Sequence, residues 1–268
     1  MDNILLGDTD PAVIYQEMSK KEMAYQEFIA DQAWLFNIYS HNIRDGSQLV
    51  RTPTLRATRS FLDKWGIDEP LETYYNVAVS QAKAAIKASM VDILLAGVIG
   101  PTLGTYKRGG KLNVEEISEA VILLDDFSVD FLFLQGFSNL ATLNAAIATC
   151  VKLSKLPIAA FFPVSALDDK KQVQQLNKLI ASFGVELCGI SGDDQGLHIL
   201  KEKMKSKTEW GLMIGEVPHQ NMDKFCDNII SQQPSLIMAG TKLSRKDWKF
   251  FLKEFSLAQL KNQRITAI

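Results

Sequence analysis

Eight short apolar runs, spaced by segments of helical period, constrain this chain more than any other feature of its sequence. The clearest spans residues 91–104, VDILLAGVIGPTLG, where an unbroken apolar stretch breaks on Gly97, Gly100, Pro101 and Gly104. A run apolar on both faces reads as a strand buried on both sides, as in a parallel sheet covered by helices. Glycines at its end let the backbone leave the sheet or approach another group closely. The other runs begin near Ile4, Ala33, Val129, Pro157, Val185, Trp210 and Ser235. From Val91 onward the starts lie 38, 28, 28, 25 and 25 residues apart, about one βα unit each.

Between the runs, apolar stripes recur with helical period: Tyr75, Val79, Ala82 and Ile86 in one segment, and Val173, Leu176, Ile180 and Phe183 in another. Asp10-Pro11 reads as the N-cap and first residue of a helix, and Ser244 with Asp247 as a capping box. Trp248, Phe251, Leu252 and Phe255 then form the inner face of a last helix. Eight β and α elements in alternation specify an α/β chain, a (β/α)8 TIM barrel forming a single domain over residues 1–268. With AWLFNIYS (33–40) taken as strand two, the stretch 40–71 becomes an insertion after it. That polar, partly basic stretch would lie over the barrel mouth as a lid.

Composition removes several function classes. A net charge of −2 gives no attraction for nucleic acid or an anionic membrane, and no apolar run approaches the roughly 20 residues of a membrane span. The acidic start MDNILLGDTDP lacks the basic region of a signal peptide. Cys150, Cys188 and Cys226 are widely spaced, which suits buried, reduced thiols and a cytoplasmic location. The expected partner is a small molecule.

In a barrel the active face is built from strand C-terminal ends and the loops after them. Those positions are Asp8 and Asp10; Ser40, His41 and Asn42; Gly97 to Gly100; Gln135; Phe162; Ser191, Asp193 and Asp194; Glu216 and His219; Gly240 and Thr241. Asp8 and Asp10 fit an acid/base pair or ligand hooks, although Asp10 also fits a helix cap. His41 reads as a solvated loop residue. Glu216 and His219 lack an evident third metal ligand, and Asp193-Asp194 complement a helix dipole. Gly240-Thr241 fit an anion site at a helix start. Lys107, Arg108 and Lys111 beside Gly109-Gly110 read as a solvated loop, and Phe137, Phe161 and Phe162 as core. No apolar run contains a lysine, which argues against Schiff-base chemistry.

Several segments resemble one family in the expected order. LAGVIGPTLG is similar to the "AGSIGP" turn of the homocysteine S-methyltransferase family, zinc-dependent barrels that make methionine and include betaine- and cobalamin-dependent enzymes. TPTLRATRSFLDKWG (52–66) resembles its "TNTFGANR…LADYG" stretch, and VDFLFLQGFSNLATLNAAI its "VDLLLFETF…LEA…AA" stretch. LCGISGDDQGLHILKEKM resembles the "GINCG" segment, and SLIMAGTKLSRKDWKFFLKEF the closing "IGGCCGTTPEHIRAL". The resemblance implies methyl transfer to a small thiol such as homocysteine. The barrel-mouth positions Asp8, Gly97, Gly100, Gln135, Ser191, Asp193 and Thr241 are then the candidate substrate-binding residues, with no catalytic residue designated.

The resemblance also implies zinc, held by three thiolates that keep the substrate thiol ionised. Here the three positions fall at Gly192 (or Ser191, by one gap), Met238 and Ala239, none of which supplies a thiolate. The family's Glu-Thr pair falls at Gln135 and Gly136, and the Asn of "TNT" at Pro53. An unassisted thiol of pKa ~8.5 is only a few per cent ionised near neutrality. The expectation is therefore no metal or other cofactor and no conventional zinc mechanism. Two readings stand: methyl transfer of the family's type by another route, or a non-catalytic barrel (a pseudoenzyme) that binds a small molecule or a protein partner.

Overall fold

The structure is a computed structural model. It describes residues 4–11, 13–14, 31–106, 110–163, 165, 167, 170–192, 208–218, 220–240 and 243–266. Eight strands, β1 (Leu5–Leu6), β2 (Leu49–Arg51), β3 (Leu94–Ile99), β4 (Phe131–Leu134), β5 (Ile158–Pro163), β6 (Leu187–Gly192), β7 (Glu209–Ile214) and β8 (Leu236–Ala239), form one sheet. Its order is β1-β8-β7-β6-β5-β4-β3-β2, with each neighbouring pair in that order parallel. The described helices are α1 (Gln32–Arg44), α2 (Arg59–Lys64), α3 (Leu71–Ser89), α4 (Val114–Asp126), α5 (Leu140–Leu153), α6 (Lys170–Phe183), α7 (Met222–Gln232) and α8 (Arg245–Thr266). The seam between β1 and β2 is bridged: the Gln48 N–H donates to the Leu6 carbonyl at 2.7 Å, and the Gln48 side-chain oxygen accepts from the Leu6 N–H at 3.1 Å. The chain is a single-domain (β/α)8 barrel.

One strand differs from the sequence reading. AWLFNIYS lies in α1, and strand two is the three-residue Leu49–Arg51, inside the stretch 40–71 rather than before it. Leu35, Ile38, Tyr39, Asn42 and Ile43 recur at i, i+3, i+4, i+7 and i+8 and are all buried, so the run obeys helical period. A short continuous apolar run does not separate helix from strand by composition.

Alternation along each strand divides the core in two. Leu49, Val98, Phe133, Phe161, Leu236 and Met238 fill the barrel interior, whereas Val50, Leu134, Ile190 and Ile237 face the helices. Phe133 and Phe161 stack inside with ring centroids 4.9 Å apart. Gly189 makes room for them, because a Cβ there would lie 2.2 Å from the Phe161 ring. Outside, Asn113 and Asn139 cap α4 and α5 by accepting two backbone N–H groups each. Ser244 Oγ accepts from the Asp247 N–H at 3.0 Å, as a capping box requires, and Trp248, Phe251, Leu252 and Phe255 bury the inner face of α8. Among the described residues no helix is long and apolar enough to cross a membrane.

Candidate functional site

Continuing the alternation past Leu49 and Phe133 places Arg51 and Gln135 in the uppermost layer of the barrel interior. Arg51 is only 1% exposed, and its guanidinium is the hub of the mouth. Its Nε donates to Asp8 Oδ1 at 2.6 Å and its backbone N–H to Asp8 Oδ2 at 2.9 Å. Nη1 donates to Gln135 Oε1 at 3.2 Å, and Nη2 to the carbonyls of Ala239 at 2.9 Å and Asp8 at 3.3 Å. One side chain from β2 thus ties the C-terminal ends of β1, β4 and β8. Around it, Tyr39 Oη donates to the Arg51 carbonyl, and Thr54 Oγ1 to the Val98 carbonyl at 2.6 Å. Thr52 Oγ1 lies 2.6 Å from Thr54 Oγ1 and accepts from the Val98 N–H at 2.9 Å.

Burial pushes Asp8 up from 3.8 to about 6, against the opposing pull of Arg51, its charge and its hydrogen bonds. The carboxyl therefore stays ionised at neutral pH. Burial, together with the Asp8 and Asp10 charges, raises Tyr39 well above its ordinary value of 10.0. Burial also pushes the thiols of Cys150, Cys188 and Cys226 up to about 12, so each is neutral at pH 7.

The residues singled out from sequence separate in space. Asp8 and Gln135 meet at the guanidinium. Gly100 ends β3 beneath the turn after β2, where a Cβ would come within 2.0 Å of the Leu55 carbonyl oxygen. Gly97 is mid-strand on the helix-facing side, where a Cβ would meet Leu124 and Val129 at 2.9 Å, so its smallness serves the approach of α4. Ser191 lies near the end of β6, half-buried and in register with Pro163 and Met213. Asp193, Asp194, His219 and Thr241, with Lys107, Arg108 and Gly109, lie outside the described residues. His41 is in α1 with Nδ1 2.6 Å from the Asn37 carbonyl, and the Asp10 carbonyl accepts from the Val13 and Ile14 N–H groups as a helix start does. Phe161 is core inside the barrel, and Phe137 and Phe162 are core outside it.

In sequence Arg51 is hidden within a polar, partly basic stretch. The signal was the alternation Leu49-Val50-Arg51 before Thr52-Pro53-Thr54, which sets the arginine on the same side as Leu49.

A cleft of about 660 Å³ opens between the loops after β3 and β4. Pro101, Thr105, Lys111, Gly136, Ser138 and Asn139 are among its lining residues. Among the described residues no three His, Cys, Asp or Glu side chains converge as a metal site.

The sequence profile of homocysteine S-methyltransferases matches residues 10–191, well over half of the 268. The chain belongs to the homocysteine S-methyltransferase family. Its fold is that of the Escherichia coli homocysteine methyltransferase MmuM. The oxidised form superposes with a TM-score of 0.76 at 17% identity, covering 94% of this chain and 96% of MmuM. The metallated form gives 0.76 at 17% identity, with 95% and 96% covered. The carboxyl transferase domain of Rhizobium etli pyruvate carboxylase is more distant, with a TM-score of 0.57 at 9% identity over 89% of this chain and 40% of that one. No curated protein sequence matches the chain. At these identities the structural likeness speaks for the family's barrel alone.

Proposed function

We propose that this family member is a small-molecule-binding barrel that has given up the conventional zinc-dependent transfer of a methyl group to a thiol. The observation that carries this reading is the buried Arg51–Asp8 pair at the hub. Both Asp8 carboxylate oxygens accept from Arg51, and the guanidinium is committed to Asp8, Gln135 and Ala239. A general base for thiol chemistry must reach its proton and be free to take it up, whereas Asp8 is 0% exposed and would lose its ion pair with Arg51 on protonation. The cleft lined by Pro101, Gly136 and Asn139 has the volume of a ligand site, about 660 Å³ against the roughly 300–1,000 Å³ usual for small molecules. Its hydroxyl, amide and ammonium groups suit a small polar ligand.

Family membership favours a second reading, methyl transfer to a small thiol such as homocysteine without the three-thiolate metal. One assay separates the two: methionine formation from homocysteine with ammonium, sulfonium and methylcobalamin donors, alongside thermal denaturation with homocysteine or methionine present. The binding reading expects a raised melting temperature with an amino acid and no methionine. Methionine formation that tracks the purified protein would overturn it in favour of the second.

A further inference from the structure

We infer that Arg51 is a built-in cation that holds the place a divalent metal would take in this barrel. The mouth has exchanged a removable ion for a fixed guanidinium. This inference concerns the same mouth as the proposed function, and it stands whether or not the barrel turns out to be catalytic.

The metal implied by the family does not fit the residues present. Zinc takes thiolate, imidazole or carboxylate donors. At the corresponding strand ends Gly192 and Ala239 offer no side-chain donor, and Met238 offers a thioether packed on Gly7, where a Cβ would lie 2.7 Å from the Met238 Cβ. Asp8, at the end of β1, has both oxygens engaged by Arg51. The guanidinium reaches the end of β8 itself through its 2.9 Å bond to the Ala239 carbonyl. A dication brought beside a charge that is 1% exposed meets repulsion that solvent scarcely screens.

The geometry also accounts for the burial of an arginine in a barrel core. Its counter-charge comes from β1, and its remaining donors are matched to a side-chain amide on β4 and to carbonyls of β1 and β8. A zinc ion clamps strand ends together through its ligands, and here hydrogen bonds from one guanidinium tie strand ends in its stead.

The test grafts sulfur onto the mouth with and without the cation. Gly192→Cys, Met238→Cys and Ala239→Cys are introduced together into the natural chain and into an Asp8→Asn, Arg51→Met background. Removing both charges there avoids leaving one of them buried and unpaired. Cobalt(II) is titrated anaerobically and followed by its thiolate charge-transfer absorption, with circular dichroism to confirm folding. The charge-free graft is expected to bind cobalt tighter than the Arg51 graft by about ten- to a hundredfold, the range over which groups beside a metal set its affinity. The ungrafted chain, dialysed against zinc, is expected to keep none. Equal cobalt affinity in the two grafts, no absorption band in either, or stoichiometric zinc on the ungrafted chain would overturn the inference.

Discussion

Arg51 and Asp8 hold opposite charges out of water, and the cost of separating them is set by burial rather than by contact distance. Arg51→Ala would leave Asp8 0% exposed and without its main donor, so that the buried carboxylate must stay unpaired or take up a proton. Breaking a buried pair by deleting one partner costs about 3–5 kcal/mol, and urea denaturation should show a loss of that size. The Asp8→Asn, Arg51→Met variant should lie far closer to the natural chain. The pH dependence follows from the same burial. Asp8 rises from 3.8 to about 6 on folding, so between those values the folded chain binds more protons than the unfolded one. Stability contributed by the neutral acid is full below about 4 and is lost as pH rises through about 6. Relative to the natural chain, the Asp8→Asn, Arg51→Met variant should lack this decline in urea melts across that interval. A matching decline in both would assign the slope to other groups. Asp8 and Gln135 were legible because each ends an apolar run. Arg51 was not, because its meaning lies in the side of β2 it occupies, and β2 is three residues long.

At the scale of elements, runs of both-face apolar residues identified seven strands, and one failed for a physical reason. Leu35, Ile38, Tyr39 and Ile43 pack as a helical face on α3, whereas the true strand ends in a charged residue. The stretch after β2 is pinned at several points. Tyr74 and Tyr75 donate to the carbonyls of Pro53 and Ala57, and Glu116 accepts from the Ser60 N–H and Oγ. These bonds come from α3 and α4, far along the chain, which is why the sequence suggested only a polar loop. Gly100 is the position this stretch leans on. A methyl group there would overlap the Leu55 carbonyl, a backbone atom that moves only with its whole turn. Gly100→Ala should therefore destabilise by about 1–3 kcal/mol in urea melts, the usual cost of overpacking. The loss should come with faster amide exchange at Ala57, whose N–H bonds the Thr54 carbonyl in that turn. Unchanged stability would show that the turn is looser than its hydrogen bonds imply.

For the whole molecule, closure is the property that separates a barrel from an open sheet, and at the β1–β2 seam side chains share it with the backbone. Acidic groups placed just before strands accept neighbouring N–H groups: Asp130 takes that of Leu95 at 2.6 Å and Glu186 that of Ile158 at 2.8 Å. The β1–β2 seam extends this device. Gln48 exchanges bonds with Leu6 through its backbone N–H and its side-chain oxygen, and Asp8 receives the Arg51 N–H that a strand carbonyl would otherwise take. Because β1 has two residues, the seam relies on few ties beyond these. Gln48→Ala removes the acceptor for the Leu6 N–H and should cost about 1 kcal/mol, the net worth of a typical hydrogen bond. The informative measurement is amide exchange strand by strand, since local opening and global unfolding expose different amides. If the seam opens locally, Leu6 and Gln48 lose protection while Leu132, Gly189 and Leu212 in β4, β6 and β7 keep theirs. Equal loss in every strand would mean that the barrel closes as one cooperative unit, and that these side-chain acceptors stabilise the whole ring rather than its edge.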